Sequence, residues 1–291
     1  MVQAPAEPTD RSAAAVAAID APVTPAAPSA WVPHALVQGA LVLAALVLAA
    51  LVLAGADERA VFRWFNHAPF LPGAVWQSLS VLGLGVSALI CVMVLLQPHR
   101  PDLVAAMWLS FLTVGIPIHV AKRLVERPRP AAVLPPEMIE ILGRPLTHGA
   151  FPSGHSGTAF AVLALVLLAA PRMPLWTRLV ALVLALGVLW SRMACGAHWP
   201  WDVLGGATLG WLGGAAALWI AGRSGLARWC GSARAQPWLI AVLLVASVAS
   251  AFDNTGYPDG VALQWALAVC GAAVALVRGV VWLRRRQGAP A

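Results

Sequence analysis

The chain has 291 residues, 60% of them hydrophobic and only 11% charged, with a mean hydropathy of +0.79. Ordinary soluble domains carry about 25% charged residues, so this composition excludes a water-soluble globule and points to an integral membrane protein. The excess of 19 Lys and Arg over 12 Asp and Glu would suit nucleic acid only if it formed a basic face; here the charges sit in short segments between apolar runs, as topology determinants and interfacial anchors, and no nucleic-acid partner is expected.

Residues 1–33 form an Ala- and Pro-rich N-terminal tail without the basic n-region of a signal peptide, expected to be disordered and cytoplasmic. Eight apolar runs follow: Ala35–Ala56, Ala74–Leu96, Leu103–Val120, Ser156–Ala170, Leu175–Trp190, Val203–Ala221, Pro237–Ala251 and Val261–Val277. A bilayer core about 30 Å thick takes about 20 residues per helical crossing, and the shorter runs are extended by flanking Gly, Ala and Trp. Trp176, Trp190, Trp199, Trp201, Trp219, Trp238 and Trp282 lie near run ends, as an interfacial belt requires. The expected fold is therefore all-α, a polytopic transmembrane helical bundle.

With the N-terminus inside, eleven of the Arg and Lys residues fall in inner segments and eight in outer ones. Five of the outer eight (Lys122, Arg123, Arg127, Arg129 and Arg192) belong to the polar clusters described below, which leaves the bias pointing to two cytoplasmic termini. Gly206, Gly210 and Gly214 line one face of the sixth run and allow close approach of a neighbouring helix. The four cysteines, Cys91, Cys195, Cys230 and Cys270, lack C-x-x-C spacing and imply neither a disulfide framework nor a zinc site. The one long outer loop, residues 121–155, carries Pro128, Pro130, Pro135, Pro136 and Pro145, so turns and short helices should order it.

Three polar clusters interrupt the apolar pattern. The first is Lys122, the only lysine, with Arg123, Arg127, Arg129 and Pro130; the second is Pro152, Ser153, Gly154 and His155; the third is Ser191, Arg192, His198 and Asp202. In an alternating topology the loops after the third and fifth runs emerge on one face, so all three clusters meet there. Lys122, Arg129 and Arg192 are fixed cations suited to phosphate oxygens. Ser153 and Gly154 precede an apolar helix whose first N–H groups can add an anion nest. His155 and His198 are two imidazoles, one able to attack and one to protonate. Asp202 lies one helical turn beyond His198 and can hold its Nδ1 proton. No carboxylate pair or His cluster offers a divalent metal a first shell, so no cofactor is expected and metal-free chemistry is.

Singly, each of these residues is explained by snorkelling, helix capping or an interfacial histidine; together they form a spaced pattern. That pattern resembles the three-part signature of the type 2 phosphatidic acid phosphatase (PAP2) superfamily, membrane relatives of the vanadium haloperoxidases. K-x6-R-P is met by Lys122, Arg129 and Pro130, P-S-G-H by Pro152 to His155, and S-R-x5-H-x3-D by Ser191, Arg192, His198 and Asp202. Arg127-Pro128 is a second Arg-Pro pair, two residues short of the family spacing. The resemblance covers about residues 60–222 and implies a six-helix core at 34–222, two additional transmembrane helices at 223–283 and a basic tail at 284–291.

The resemblance further implies that His198 attacks phosphorus to give a phosphohistidine, that Asp202 orients it and that His155 protonates the leaving group. Lys122, Arg129, Ser153, Gly154 and Arg192 would bind the phosphoryl oxygens. The expected function is that of a metal-independent lipid phosphate or diphosphate phosphatase in the cytoplasmic membrane. Its site would face the periplasm or exterior, and undecaprenyl diphosphate or a glycerophospholipid phosphate would be the substrate. Three alternatives remain open at this stage: a lipid phosphotransferase of the same fold, a vanadium-dependent haloperoxidase, and a non-enzymatic lipid transporter or scaffold.

Overall fold

The computed structural model describes residues 32–67, 70–97, 99–169 and 174–287; the N-terminal tail up to residue 31 lies outside them. Every regular element among the described residues is helical: α1 (Val32–Ala54), α2 (Glu58–Asn66), α3 (Gly73–Leu82), α4 (Gly85–Leu96), α5 (Pro101–Ser110), a π-helical turn (Phe111–Gly115), α6 (Ile116–Val125), α7 (Pro130–Val133), α8 (Gly154–Leu168), α9 (Leu175–Ala194), α10 (Pro200–Arg223), α11 (Leu226–Cys230), α12 (Gln236–Phe252) and α13 (Val261–Gln287). Five stretches are long and apolar enough to cross a membrane, α3 and α4 form a bent pair that makes a sixth, and α8 and α12 are shorter apolar helices. Each of the eight expected runs thus lies on helix, the structure that satisfies every backbone group without water.

Four local features depart from the sequence reading. The second run is not one helix: it bends by 73° between α3 and α4, because Leu84 is extended (φ −70°, ψ 139°). The bend is occupied, since a Cβ on Gly83 would lie 2.9 Å from the His155 Cβ and 2.8 Å from Val188 Cγ1. The third run passes through the π turn at Phe111–Gly115, just before Pro117, which has no N–H to continue the regular ladder. Helix α2 is a short surface helix capped by Asp57, whose side chain accepts from Arg59 N at 2.9 Å; with apolar residues on one face only, it is not an apolar run. The last helix continues to Gln287 instead of ending before a basic tail, and the Arg286 guanidinium lies 4.5 Å from the Trp282 ring centre.

The glycine stripe does what its spacing requires. A Cβ on Gly206 would lie 2.2 Å from Ser153 O and one on Gly210 2.1 Å from Gly157 O, so α10 rests backbone to backbone on the start of α8. A second core of Met93, Leu103, Met107, Leu239 and Leu243 ties α12 to α4 and α5. The connections sort to two ends of the bundle. At one end Asn66 Nδ2 donates to Glu140 O at 2.8 Å and Met193 O at 3.0 Å, and Arg144 N donates to Gly256 O at 2.8 Å. At the other, Gln97 Nε2 donates to Gln236 Oε1 at 3.2 Å and Arg278 Nη1 to Met93 O at 2.9 Å. This sorting brings residues 126–153 and 195–199 together.

Candidate active site

Ser153 is the N-cap of α8. Its hydroxyl accepts from Ser156 N at 3.4 Å and Ser156 Oγ at 3.0 Å, and its own N–H donates to Asp202 O at 2.8 Å. Helix α8 therefore starts against α10, with the Gly154 Cα facing open space and His155 on the first turn. Capping and close packing of this kind leave the first N–H groups of a helix as donors to an anion.

Between α9 and α10 the chain turns sharply. Gly196 (φ +69°) sits where a Cβ would be 2.5 Å from Glu140 O, and the N–H groups of Ala197 and His198 both donate to Arg192 O, at 3.0 and 3.2 Å. The turn buries His198 to 1% exposure beside a wholly buried Arg192 and Asp202. Arg192 Nη1 donates to Ser80 Oγ at 2.7 Å, whereas its Nε has no hydrogen-bond partner among the described residues. Arg129 reaches across from the loop: its Nε donates to His148 O at 2.8 Å, its Nη1 to Ala197 O at 3.0 Å, and Nη1 lies 3.2 Å from His198 Nε2. The Lys122 ammonium donates to Gly149 O. The eight residues singled out from the sequence thus lie at one end of the bundle, around two imidazoles.

One expected contact is not made at hydrogen-bond distance. His198 Nδ1 faces Asp202 Oδ2 at 3.7 Å, and Nδ1 has no hydrogen-bond partner among the described residues. The carboxylate is engaged elsewhere: Oδ2 accepts from Trp199 N at 2.8 Å and Oδ1 from Arg127 Nη1 at 2.9 Å. The two Arg-Pro pairs separate here. Arg127 forms ion pairs with Asp202 and Glu58, while Arg129 faces the histidine. Arg123 is exposed. Glu58 and Ser80 are site-supporting residues that the sequence offered no signal for, since each stands alone in a segment far from its partners. Burial first, then the charges of Arg129, Arg192 and Lys122, hold the His198 imidazole well below its ordinary 6.5.

A cavity of about 250 Å³ opens beside this cluster. Lys122 and His155, with Ser110, His119 and Thr158, supply its polar lining, and Leu84, Met107, Phe111 and Ile118, from the α3–α4 bend, α5, the π turn and α6, form its apolar wall.

Residues 102–226 match the model of the PAP2 superfamily. Over 79 residues the chain is 40% identical to a protein of Escherichia coli (strain K12) provisionally named undecaprenyl-diphosphatase YbjG, a match covering 26% of this chain and 38% of that one. It is 42% identical over 79 residues to phosphatidylglycerophosphatase B of the same organism, covering 26% of this chain and 31% of the relative. The match thus spans about a third of the length of these curated relatives. The crystal structure of Aquifex aeolicus LpxE aligns with a TM-score of 0.49 at 26% identity, over 55% of this chain and 93% of that one. The stretch from Asp102 to Leu226 that matches the PAP2-superfamily model carries every residue of the phosphate-suited cluster.

Proposed function

We propose that the protein is a membrane-embedded, metal-independent lipid phosphate or diphosphate phosphatase working through a phosphohistidine at His198. The observation that carries this reading is the contact of Arg129 Nη1 with His198 Nε2 at 3.2 Å. A guanidinium has donors only, so Nε2 must present its lone pair and the imidazole proton resides on Nδ1, toward Asp202. That tautomer has the nucleophilic nitrogen pointing into the cation cluster. The depressed basicity of His198 keeps the ring neutral at pH 7.

In the proposed sequence the phosphoryl oxygens take the hydrogen bonds of Arg129, Arg192, Lys122 and the Ser153–Gly154 backbone. Nε2 then attacks phosphorus, the bond from phosphorus to the leaving oxygen breaks, and His155 gives that oxygen a proton. Water then attacks the phosphohistidine as His155 takes one of its protons and so regains the one it gave; the P–N bond breaks with its electron pair returning to Nε2, and inorganic phosphate leaves. Donors fixed around the equatorial oxygens stabilise the transition state more than the ground state. The apolar cavity beside His155 suits the tail of an amphiphile, and the names of the relatives support undecaprenyl diphosphate or a glycerophospholipid phosphate as the substrate. We place the site on the outer face of the cytoplasmic membrane, with both termini inside, on the distribution of Arg and Lys.

Purified protein assayed for phosphate release over a panel of lipid monophosphates and diphosphates tests the reading. Turnover should persist in excess EDTA and be inhibited by orthovanadate, which adopts trigonal-bipyramidal geometry. Loss in EDTA with recovery in Mg²⁺ would overturn the metal-free mechanism, and label passing to an added lipid instead of water would make the protein a phosphotransferase.

A further inference from the structure

The PAP2 match ends at residue 226, so α12, α13 and the turn joining them lie outside it, yet this turn reaches the cation cluster. Tyr257, the only tyrosine in the sequence, is 7% exposed. The Arg192 guanidinium carbon sits 5.4 Å from the centre of its ring, and the His155 imidazole meets the ring edge-on at 6.4 Å.

The turn is fastened on several sides. Gln77 Nε2 donates to Asp259 Oδ2 at 2.6 Å, and Asp259 N returns a bond to Gln77 Oε1 at 3.0 Å, tying the turn to α3. Gly256 O accepts from Arg144 N at 2.8 Å, tying it to the long loop. Gln264 Nε2 donates to Ser250 O at 2.6 Å and Asp253 O at 2.8 Å, joining the two helices that carry it. A ring held this firmly defines a position for whatever packs on it.

Arg192 needs such a definition. A guanidinium offers donors only around its edge and stacks through its faces. Ser80 takes one edge donor and Tyr257 covers a face, while the buried Nε–H has no hydrogen-bond partner among the described residues. We propose that Tyr257 is a positioning residue of the phosphate site. Its ring fixes the plane of Arg192 and screens Arg192 and His155 from water, which makes the C-terminal helical hairpin part of the phosphate-binding unit. This rests on reading the cluster as a phosphate site. An aromatic face holds a cation more strongly the drier the contact, and a donor aimed at the transition state loses its effect when displaced by a fraction of an ångström.

The experiment uses full-length purified wild-type protein and the Tyr257→Phe, Tyr257→Leu and Tyr257→Met variants, each confirmed folded by its melting temperature; Met carries the test if the Leu variant does not fold. Two quantities are read: steady-state turnover of a lipid phosphate, and binding of orthovanadate by calorimetry, which needs no turnover. Phe keeps the ring and should stay within about threefold of wild type in both. Leu and Met should lower kcat about 10- to 30-fold with little change in KM and weaken vanadate comparably. Wild-type kcat and vanadate affinity in Leu or Met would overturn the proposal, as would a loss in Phe as large as in Leu. If wild type binds vanadate but hydrolyses no lipid phosphate, the phosphatase reading fails, and the vanadate comparison alone still decides the role of Tyr257. If wild type neither binds vanadate nor turns over, both are overturned.

Discussion

Burial and the neighbouring cations act on His198 in the same direction, lowering its basicity below 6.5, and this sets the sign of the pH dependence. A nucleophilic imidazole must be neutral, so the acid limb of kcat/KM should lie below pH 6.5; an acid limb centred at or above 6.5 would contradict the assignment of His198. The same shift bears on stability. The unfolded chain protonates this histidine below about pH 6.5 while the folded one does not, so its contribution is complete above 6.5 and declines as pH falls toward the folded-state value. His198→Ala should remove turnover by about 10⁴-fold or more without unfolding the protein. Asp202→Asn should cost less, about 10²-fold, since its carboxylate stands 3.7 Å from Nδ1 and is already bonded to Trp199 and Arg127. Phosphate-release kinetics on both variants measure this order. The residues at the centre of the cluster were legible because the chemistry they share is dense in sequence: three short stretches hold all of them. Ser80 and Tyr257 were not, because each meets Arg192 from a segment with no other residue of the cluster, and Ser80 is 112 positions away from it.

Among the elements, the pair α8–α10 decides where the two histidines stand relative to one another, and the stripe that seats them could be read directly, since i, i+4 spacing of glycine has one simple packing consequence. Gly210→Ala would have to open a contact of 2.1 Å to the Gly157 carbonyl, an overpacking that should cost about 1–3 kcal/mol. Gly222→Ala, on the same helix but with nothing within 4 Å, should change stability by less than about 0.5 kcal/mol. Melting temperatures in one detergent compare the two, and equal effects would mean that the α8–α10 contact is not close packed. The bend at Gly83–Leu84 went unread in the run from Ala74 to Leu96 because hydropathy does not register the two glycines, Gly83 and Gly85, that flank the extended Leu84; the space that the bend opens is taken by His155 and Val188. The π turn was equally silent in hydropathy, although Pro117 marked the place where a regular ladder had to yield. Both irregularities line the cavity beside the cluster, which is where departures from regular helix gather when a membrane protein must admit a polar group.

At the scale of the whole molecule, counting apolar runs anticipated a helical bundle, and alternation of those runs anticipated that the three clusters would converge at one end of it. The part the count could not reach is the reach of the C-terminal hairpin into the site, which depends on a turn pinned by Gln77 and Arg144 and not on any local pattern. Which leaflet the site serves is a separate matter that labelling can test. The native thiols beside the relevant loops are poor probes: Cys195 is 2% and Cys230 1% exposed, and burial raises both, Cys230 to about 11, so neither presents a reactive thiolate to water. Exposed neighbours serve instead. Asn254, in the turn that carries Tyr257, and Ala233, between α11 and α12, are both exposed and belong to opposite ends of the bundle. With Cys270, which is exposed, replaced by Ala, a membrane-impermeant maleimide applied to intact cells should label Asn254→Cys and not Ala233→Cys, while both should react after permeabilisation. Arg223 and Arg234 flank α11, Arg228 lies within it, and Arg284, Arg285 and Arg286 end α13, whereas the turn from Asp253 to Asp259 has no basic residue, and basic connections stay on the cytoplasmic side. The opposite labelling pattern would put the cation cluster on the inner leaflet, where a lipid phosphate made in the cytosol would be the substrate and a carrier lipid processed on the outer face would not.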